Sequence, residues 1–443
     1  MGLHSGIATT GWLLWQLSKV ESALMMGRWQ ERGEFVKRAR ASRRSSNRNQ
    51  SMCYVATTAR TLRAFVVPVA EYLSDDLGLD ISLVCAGDKT FAAELPQTLG
   101  YHPINMKRGI DPHSLAAIWR MWRLFQTERF CAVEYTTPNA SFYASLAASL
   151  ARVPVRIYRQ GGIRYVGFSG VRRRVFRQIE RWTCQLSSCV EPVSRGNLSF
   201  GVAERLYPLE KASVVWNGSA CGVDLARFDA TKRDSWRIEA RSEFCIPMGG
   251  FVMGFVGRLS RDKGGNELLE AAQCVIGSNQ LAYLLIVGPL DETGGLQGSL
   301  MRWARTEGRV IFCGSRQDVP RCMAAMDALV MPTYREGFGQ VLIEAQAMGV
   351  PVITTAVPGP LDAVIPGVTA LVVQPMNVAE LEVAIREVAG DERRRTQLSR
   401  AGLEYVRSHF DKQIFMRRLA VRRAEQLSIC NQPPGEGAWQ LEA

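Results

Sequence analysis

A segment in the second half of the chain combines two glutamates with closely spaced glycines. Glu336 is followed by Gly337, Phe338 and Gly339, and Glu344 stands one to two turns into a helix predicted to open near Gly339. Glycines let the backbone amides at a helix start approach a diphosphate closely. The two carboxylates can accept hydrogen bonds from different hydroxyl groups of one nucleotide sugar. The alternative, a capping glutamate and a solvated helix glutamate, is disfavoured by the flanking glycines.

Two cations upstream supply charge of the opposite sign. Arg258 and Lys263 follow a second buried strand, where a guanidinium fork and an ammonium point charge can hold a diphosphate. The sequence contains no Asp-x-Asp motif and no His/Asp cluster for a divalent ion. We therefore predict that the two cations and a helix dipole neutralise the leaving group, with no metal and no other cofactor.

A basic helix is predicted in the first half of the chain. Over residues 171–186, helical spacing groups Arg173, Arg177 and Arg181 on one side. The apolar residues lie on another side: Val175, Phe176, Ile179 and Trp182. Clustered cations beside aromatic residues suit anionic headgroups and predict attachment to a membrane surface. The alternative is an ordinary amphipathic helix whose apolar side packs on a sheet.

The elements that must position these residues are short apolar runs alternating with longer helical patterns. The predicted strands cover 53–57, 81–85, 132–135, 155–158 and 189–193, then 251–256, 283–287, 310–313, 328–331 and 351–354. This alternation predicts two α/β domains, each a doubly wound, Rossmann-like parallel sheet with helices on both faces. The expected domains are residues 51–225 and 226–410, with a C-terminal helix and tail over 411–443. Ligands are expected where strand carboxyl ends face the cleft between the domains.

Length and charge agree with this organisation. A chain of 443 residues suits two domains, and its formal net charge of +12 indicates a polyanionic partner. Half of the excess lies in residues 1–50, which we interpret as a basic, disordered extension. The longest apolar stretches, 11–17 and 144–150, are shorter than the roughly 20 residues that span a bilayer. Eleven cysteines without a C-x-x-C pair indicate reduced thiols in a cytosol.

Several of these motifs together resemble glycosyltransferase family 4, of the GT-B fold. The residues that carry the resemblance are Gly257-Arg258-Leu259 with Lys263-Gly264, Glu336-Gly337-Phe338-Gly339 with Glu344, and Asn217-Gly218 with Gly222-Val223-Asp224. The resemblance covers about residues 52–410 and implies a retaining, metal-independent transfer from a nucleotide sugar.

The resemblance also assigns roles to the residues of the donor side. It implies that Glu344 binds the donor ribose and that Glu336 binds the transferred sugar. Arg258 and Lys263 would hold the diphosphate. In this family retention is attributed to attack on the same face, with the departing phosphate helping to deprotonate the acceptor, so we assign no protein base.

Weaker motifs resemble bacterial exopolysaccharide and lipid-linked oligosaccharide enzymes. These motifs are residues 136–140, 153–157, 179–182, 217–224 and 359–363. They implicate UDP as the nucleotide, a hexose or N-acetylhexosamine as the sugar, and a glycan on undecaprenyl diphosphate as the acceptor. Gln160 and Arg164 are expected on the acceptor side. Gln160 stands where many relatives have a histidine, and a glutamine cannot take a proton at neutral pH. The lipid-linked acceptor and the basic helix together predict a cytoplasmic enzyme held peripherally at the inner face of the cell membrane.

Other functions compete with the transferase interpretation. A nucleotide-sugar epimerase of the same architecture needs ionisable groups around the sugar, and none of the four histidines adjoins the donor motifs. A nucleic-acid-binding protein accounts for the positive charge but leaves the paired glutamates unexplained. We therefore predict no nucleic-acid partner and keep the epimerase as the alternative.

Overall fold

The chain forms two compact units. The computed structural model describes residues 50–106, 112–291 and 295–428. Of these, 50–221 and 414–428 make up the first unit, and 222–413 make up the second. The predicted basic extension, up to residue 49, and the end of the predicted C-terminal segment, from residue 429, lie outside the described residues.

The first unit is built on a six-stranded sheet. Its strands are β1 (Ser51–Val55), β2 (Asp80–Cys85), β3 (Leu99–Pro103), β4 (Ala132–Tyr135), β5 (Val155–Gln160) and β6 (Cys189–Pro192). A helical segment, Ala59–Thr61 continuing through Leu62–Val66, leads into α1 (Val67–Leu77). It is followed by α2 (Lys89–Glu94), α3 (Pro112–Glu128), α4 (Pro138–Leu150), α5 (Gly170–Leu186) and α6 (Arg195–Ala203). All strand pairs are parallel, in the order β3-β2-β1-β4-β5-β6.

The second unit repeats this architecture. Its strands are β7 (Phe251–Val256), β8 (Ala282–Val287), β9 (Val310–Gly314), β10 (Ala328–Met331), β11 (Val352–Thr355) and β12 (Ala370–Val373). Its helices are α7 (Arg233–Glu243), α8 (Gly265–Ser278), α9 (Gly298–Thr306), α10 (Val319–Ala324), α11 (Gln340–Ala347), α12 (Val378–Gly390) and α13 (Glu392–His409). The last described helix, α14 (Lys412–Ser428), begins in this unit and continues into the first. The parallel strands lie in the order β12-β11-β10-β7-β8-β9.

The strand order reverses once in each sheet, between β1 and β4 and between β7 and β10. Both sheets are therefore doubly wound, and the predicted fold class is confirmed. Two strands were missed from the sequence, β3 and β12, and both are edge strands. Strand β3 contains Gly100, His102 and Pro103, so it lacks the continuous apolar run of a central strand. Strand β12 is a short apolar run of four residues, Ala370–Val373, and its composition does not explain why it was missed.

Arginine and aspartate join the two central strands of the second sheet. Asp327 precedes β10, and its carboxylate accepts a hydrogen bond from the main-chain nitrogen of Val252 in β7 at 2.7 Å. The same carboxylate pairs with Arg241 of α7 at 2.7 Å and with Arg237 at 2.6 Å. Arg241 is fully buried and also donates to the carbonyls of Ala325 and Gly250. These bonds hold the amino ends of β7 and β10 together.

The C-terminal helix packs on one face of the first sheet. Phe415 and Leu419 of α14 lie in the same apolar core as Met52 and Tyr54 of β1, whereas Cys53 faces the opposite core. The alternation follows from the two-residue period of a strand. Helix α14 therefore completes the first unit although it follows the second unit in the chain.

A buried arginine at the centre of this contact is surrounded by carboxylates. The Arg423 guanidinium lies 2.7 Å from Glu134 of β4 and 2.8 Å from Glu191 of β6. Burial alone would raise the pKa of Glu191, but the charge and hydrogen bonds of Arg423, with Arg159, overcome it and lower the pKa to about 2. Burial raises the pKa of Glu134, the less favourably placed carboxyl. A buried ion pair of this kind is sensitive to loss of one partner, because the remaining charge has no compensation.

We expect Arg423→Met to lower the free energy of unfolding of the first unit by about 3–5 kcal/mol, because it removes the cation that two buried carboxylates share. The matched control is Arg417→Met, an exposed position on the same helix, which should change stability by less than about 0.5 kcal/mol. Urea unfolding of the full chain, followed by circular dichroism, measures both variants. Equal losses for Arg417→Met and Arg423→Met would contradict the role of the buried cluster.

Candidate active site

The loop that carries Glu336 follows the central strand β10. All four residues of that strand are buried, and α11 begins only after Gly339. Gly339 has φ +90, a left-handed conformation that is strained for residues with a side chain. Phe338 is buried and packs its ring edge-on against Phe410, with 5.4 Å between ring centroids. The Phe338 side chain therefore belongs to the core, and only its backbone can serve a ligand.

The loop that carries Arg258 and Lys263 follows the other central strand, β7. It passes through a short 3-10 turn, Arg261–Lys263, and enters α8 after Gly264. Gly264 has φ +72, and a Cβ there would collide with the carbonyl oxygen of Pro332 in the β10 loop. Only glycine allows the two loops to approach this closely. Because β7 and β10 are adjacent parallel strands, both loops leave the same edge of the sheet, at the position where the strand order reverses.

Lys263 and Glu336 form an ion pair across these two loops. The Lys263 ammonium donates a hydrogen bond to Glu336 Oε2, and Glu336 Oε1 accepts one from the main-chain nitrogen of Gly337 at 3.1 Å. Both side chains are about three-quarters buried, with 25% and 23% of their surface exposed. Arg258 is half exposed, and its guanidinium lies 3.7 Å from Asp291. The structure thus places Lys263, which is predicted to hold the diphosphate, directly against Glu336, which is predicted to bind the sugar.

Glu344 is the fifth residue of α11 and is partly buried. Burial raises its pKa to about 7, although the nearby Arg227 charge and a hydrogen bond with Gln340 lower it in part. The Gln340 amide donates to the carbonyl of Gly222 at 2.7 Å. A carboxyl with such a pKa changes charge near neutral pH, which is unusual for a glutamate on the surface of a helix.

A third loop packs against the backbone of Glu336, a contact that the sequence did not predict. Gly359 has φ +92, and a Cβ at this position would lie 2.6 Å from the carbonyl oxygen of Glu336 and 2.8 Å from that of Gly337. Gly359 opens the run 359–363, and no local pattern in that run connects it with Glu336. Glycine is required at position 359 because two backbones pass within contact distance.

The described residues contain no group of three or more His, Cys, Asp or Glu side chains arranged to hold a metal ion.

Gln160, expected on the acceptor side, is fully buried at the end of β5. Its amide donates to Glu180 of α5 at 2.6 Å and accepts from the Tyr207 hydroxyl at 3.1 Å. Tyr158 donates to the same Glu180 oxygen at 2.8 Å. Burial raises the pKa of Glu180, and the bonds from Gln160 and Tyr158 lower it in part. In this conformation the Gln160 amide is therefore engaged within the unit, and its contact with an acceptor stays a prediction.

Arg164 lies half-buried near the same end of the sheet. It donates to Asn139 at 3.0 Å, and its guanidinium lies 5.0 Å from the ring centroid of Phe176. Nearby, Thr137 adopts φ +69 immediately before α4, and its hydroxyl accepts a hydrogen bond from the main-chain nitrogen of Thr57 at 3.1 Å. A positive φ is costly for a β-branched residue and is found mainly where function or packing enforces it. The hydrogen bond between Thr57 and Thr137 joins the loops after β1 and β4, where the first sheet reverses its strand order.

The basic helix α5 turns a polar face inward. Its buried residues are Glu180, Thr183 and Cys184, whereas Val175 and Trp182 of the predicted apolar side are 49% and 47% exposed. Nothing in the spacing identified Glu180 as buried, because a glutamate among arginines resembles a surface ion-pair partner.

The three predicted arginines of α5 line one surface pocket. Arg173, Arg177 and Arg181 share it with Glu204 of the segment after α6. Arg177 lies 2.9 Å from Glu204 and Arg173 lies 3.9 Å from it. The pocket is therefore basic but contains one compensating carboxylate. Among the helices within the described ranges, none combines the length and apolar character needed to cross a membrane.

Two family models match successive parts of the chain. Residues 54–218 match the glycosyl transferase 4-like domain, and residues 237–405 match the glycosyl transferases group 1 model. These ranges fall in the first and second units respectively. The Arg258, Lys263, Glu336 and Glu344 positions all lie inside the second match.

Individual relatives agree with the family models. The capsular polysaccharide biosynthesis glycosyltransferase CapM of Staphylococcus aureus is 29% identical over 319 residues, which are 72% of this chain and 83% of CapM. The UDP-Gal:alpha-D-GlcNAc-diphosphoundecaprenol alpha-1,3-galactosyltransferase of Escherichia coli is 24% identical over 246 residues, 54% of this chain and 61% of that enzyme.

A solved structure shares the fold. HepE of Anabaena, crystallised with UDP and glucose, superposes with a TM-score of 0.69 at 18% identity, over 85% of this chain and 100% of HepE. Since the two family models divide at the boundary between two doubly wound sheets, the chain belongs to the glycosyltransferases of the GT-B fold, with a 4-like domain followed by a group 1 domain.

Proposed function

We propose that this enzyme is a retaining glycosyltransferase that uses a UDP-sugar donor. The observation that carries the proposal is the Lys263–Glu336 pair, with Glu344 on the following helix, at the reversal of the second sheet. The transferred group is a hexose or N-acetylhexosamine. The presence of UDP in the HepE crystals, a protein of the same fold, supports the choice of nucleotide.

Donor binding in this proposal exchanges one anion for another at Lys263. The donor diphosphate takes the ammonium that Glu336 holds in the ligand-free protein, and Arg258 supplies a second cation. Glu336 is then released to accept hydrogen bonds from hydroxyl groups of the transferred sugar. Glu344 accepts hydrogen bonds from the ribose.

Because the Lys263 and Arg258 side chains neutralise the diphosphate, transfer should continue in excess EDTA.

The chemical step needs no nucleophile from the chain. The acceptor hydroxyl attacks the anomeric carbon on the face from which UDP departs, and the departing phosphate oxygen takes the hydroxyl proton. The bond from the anomeric carbon to the phosphate oxygen breaks, and its electron pair stays with UDP. Lys263 and Arg258 stabilise the charge that develops on that oxygen, which is the largest contribution the protein can make to such a step.

The acceptor in this proposal is a glycan on undecaprenyl diphosphate, in the synthesis of a bacterial surface polysaccharide. The E. coli galactosyltransferase is named for an acceptor of that kind, and CapM is named for capsular polysaccharide biosynthesis. An acceptor anchored in a membrane requires the enzyme to reach the membrane surface. We place this contact at the basic pocket of α5, with Arg173, Arg177 and Arg181 facing anionic headgroups.

We expect Glu336→Gln to reduce transfer at saturating donor and acceptor by at least about a hundredfold, since it weakens contacts with the reacting sugar. The same variant should bind UDP at least as tightly as the unmodified enzyme, because Lys263 no longer has a carboxylate partner. Turnover by a UDP-release assay and calorimetric titration of UDP measure the two effects. Glu270→Gln, on an exposed position of α8, is the matched control. Near-normal turnover of Glu336→Gln would show that the assigned role is wrong.

The raised pKa of Glu344 predicts a pH dependence with a definite sign. A UDP-sugar has no group that titrates near neutrality, and an ionised carboxylate accepts ribose hydrogen bonds more strongly than a neutral one. Donor affinity should therefore rise as pH increases through about 7, the pKa of Glu344.

Stability of the ligand-free protein should change in the opposite direction. The folded state keeps a proton that the unfolded chain releases above its usual pKa of 4.5, so stability falls between about 4.5 and about 7. Both trends should be absent from Glu344→Gln, measured by donor titration and thermal unfolding at pH 5 to 8. Parallel pH profiles for the two proteins would exclude Glu344 as the titrating group.

Replacing Arg173, Arg177 and Arg181 together with glutamine should weaken binding to phosphatidylglycerol vesicles about tenfold to a hundredfold, at about 1 kcal/mol for each cation near the surface. Binding should also weaken as salt is raised, and neutral phosphatidylcholine vesicles should not bind the enzyme. The matched control replaces Arg393, Arg400 and Arg407, three exposed arginines of α13, and should leave binding within about threefold. Equal loss in both triple variants would mean that net charge, rather than this pocket, governs attachment.

A further inference from the structure

The segment between β10 and Glu336 is held by the loop that carries Lys263. The main-chain carbonyl of Asp262 accepts hydrogen bonds from the Tyr334 nitrogen at 3.0 Å and from the Thr333 hydroxyl at 3.2 Å. The Asp262 carboxylate accepts a hydrogen bond from the Ser260 hydroxyl at 2.6 Å and pairs with Arg335 at 3.4 Å. The three residues before Glu336 are thus all tied to one residue beside Lys263.

A side-chain hydrogen bond reinforces this connection. The Tyr334 hydroxyl donates to Glu267 Oε1 at 2.5 Å, and Glu267 lies in the first turn of α8, four residues after Lys263. Burial, followed by the hydrogen bond and charge of Glu267, raises the pKa of Tyr334 well above its ordinary value. The hydroxyl therefore keeps its proton and remains a donor. Neither Glu267 nor Tyr334 belongs to the set of residues assigned to the donor.

We propose that Glu267 and Tyr334 are positioning residues that hold the Glu336 carboxylate at the transferred sugar. The inference rests on the proposed function, in which Glu336 contacts that sugar. The hydrogen bond fixes Tyr334, two residues before Glu336, to the helix that begins directly after the Lys263 loop. It thereby sets the spacing between the group that holds the sugar and the group that holds the diphosphate.

The need for such a bond follows from the exchange at Lys263. In the structure the Lys263 ammonium itself restrains Glu336. Once a diphosphate occupies Lys263, that restraint is lost at the moment when the carboxylate must be placed accurately. The bond from Tyr334 to Glu267 does not involve the ammonium, so it persists in the donor complex. A misplacement of about 1 Å in a reacting complex can cost about a hundredfold in rate.

The test compares Tyr334→Phe and Glu267→Leu, which remove the hydrogen bond, with Glu267→Gln, which keeps an acceptor oxygen. We expect kcat to fall about tenfold in the first two variants, with the Kd for UDP within about twofold of the unmodified enzyme, since UDP lacks the sugar that Glu336 contacts. Glu267→Gln should retain kcat within about threefold. The double variant Tyr334→Phe/Glu267→Leu should be no slower than the slower single variant, because both remove the same interaction.

The matched control is Tyr143→Phe, which removes a buried hydroxyl bonded to Ser114 at 2.8 Å in the other unit. It should lower the melting temperature to a similar degree and leave kcat unchanged. The proposal is overturned if kcat of Tyr334→Phe equals that of the control, or if UDP affinity falls together with kcat. Failure of the proposed function is a separate result: Glu336→Gln would then remain active. An inactive Glu336→Gln beside a fully active Tyr334→Phe would overturn the positioning role alone.

Discussion

The close approach of two loops at the carboxyl edge of the second sheet is the constraint on which the candidate active site depends. The loop after β7 and the loop after β10 come together because their strands are neighbours, and they touch because Gly264 has no side chain to meet Pro332. Gly359 allows a third backbone to lie against Glu336 in the same way. Backbone packing therefore determines where the charged side chains of the site lie.

Two opposite charges at this site balance one another. Lys263 and Glu336 are paired, so neither charge stands alone in a half-buried position. In the proposed function, a diphosphate replaces the glutamate as the partner of the lysine, and the glutamate then contacts the sugar. The hydrogen bond between Tyr334 and Glu267 does not involve Lys263, so the proposed exchange would leave it intact.

The first unit uses buried polar groups for a different purpose. Arg423 brings Glu134 and Glu191 together from two strands and ties α14 to the sheet, while Glu180 joins α5 to the end of β5 through Gln160. Each cluster costs free energy through desolvation and recovers it only when every partner is present. Such clusters specify one way of packing a helix on a sheet. They also explain why α5 exposes apolar residues: its inward face is committed to Glu180.

The sequence by itself determined the doubly wound class, every central strand, and the candidate site residues Arg258, Lys263, Glu336 and Glu344. These follow from local patterns, since a strand, a glycine-containing loop and a helix start are encoded within about 15 residues of one another. Only the tertiary structure decided which groups meet. The pairing of Lys263 with Glu336, the burial of Glu180 and Gln160, the support from Gly359 and the edge strands β3 and β12 all depend on contacts between distant segments. No periodicity records such contacts, because the packing of one segment against another is set by the whole fold and not by the residues of either segment alone.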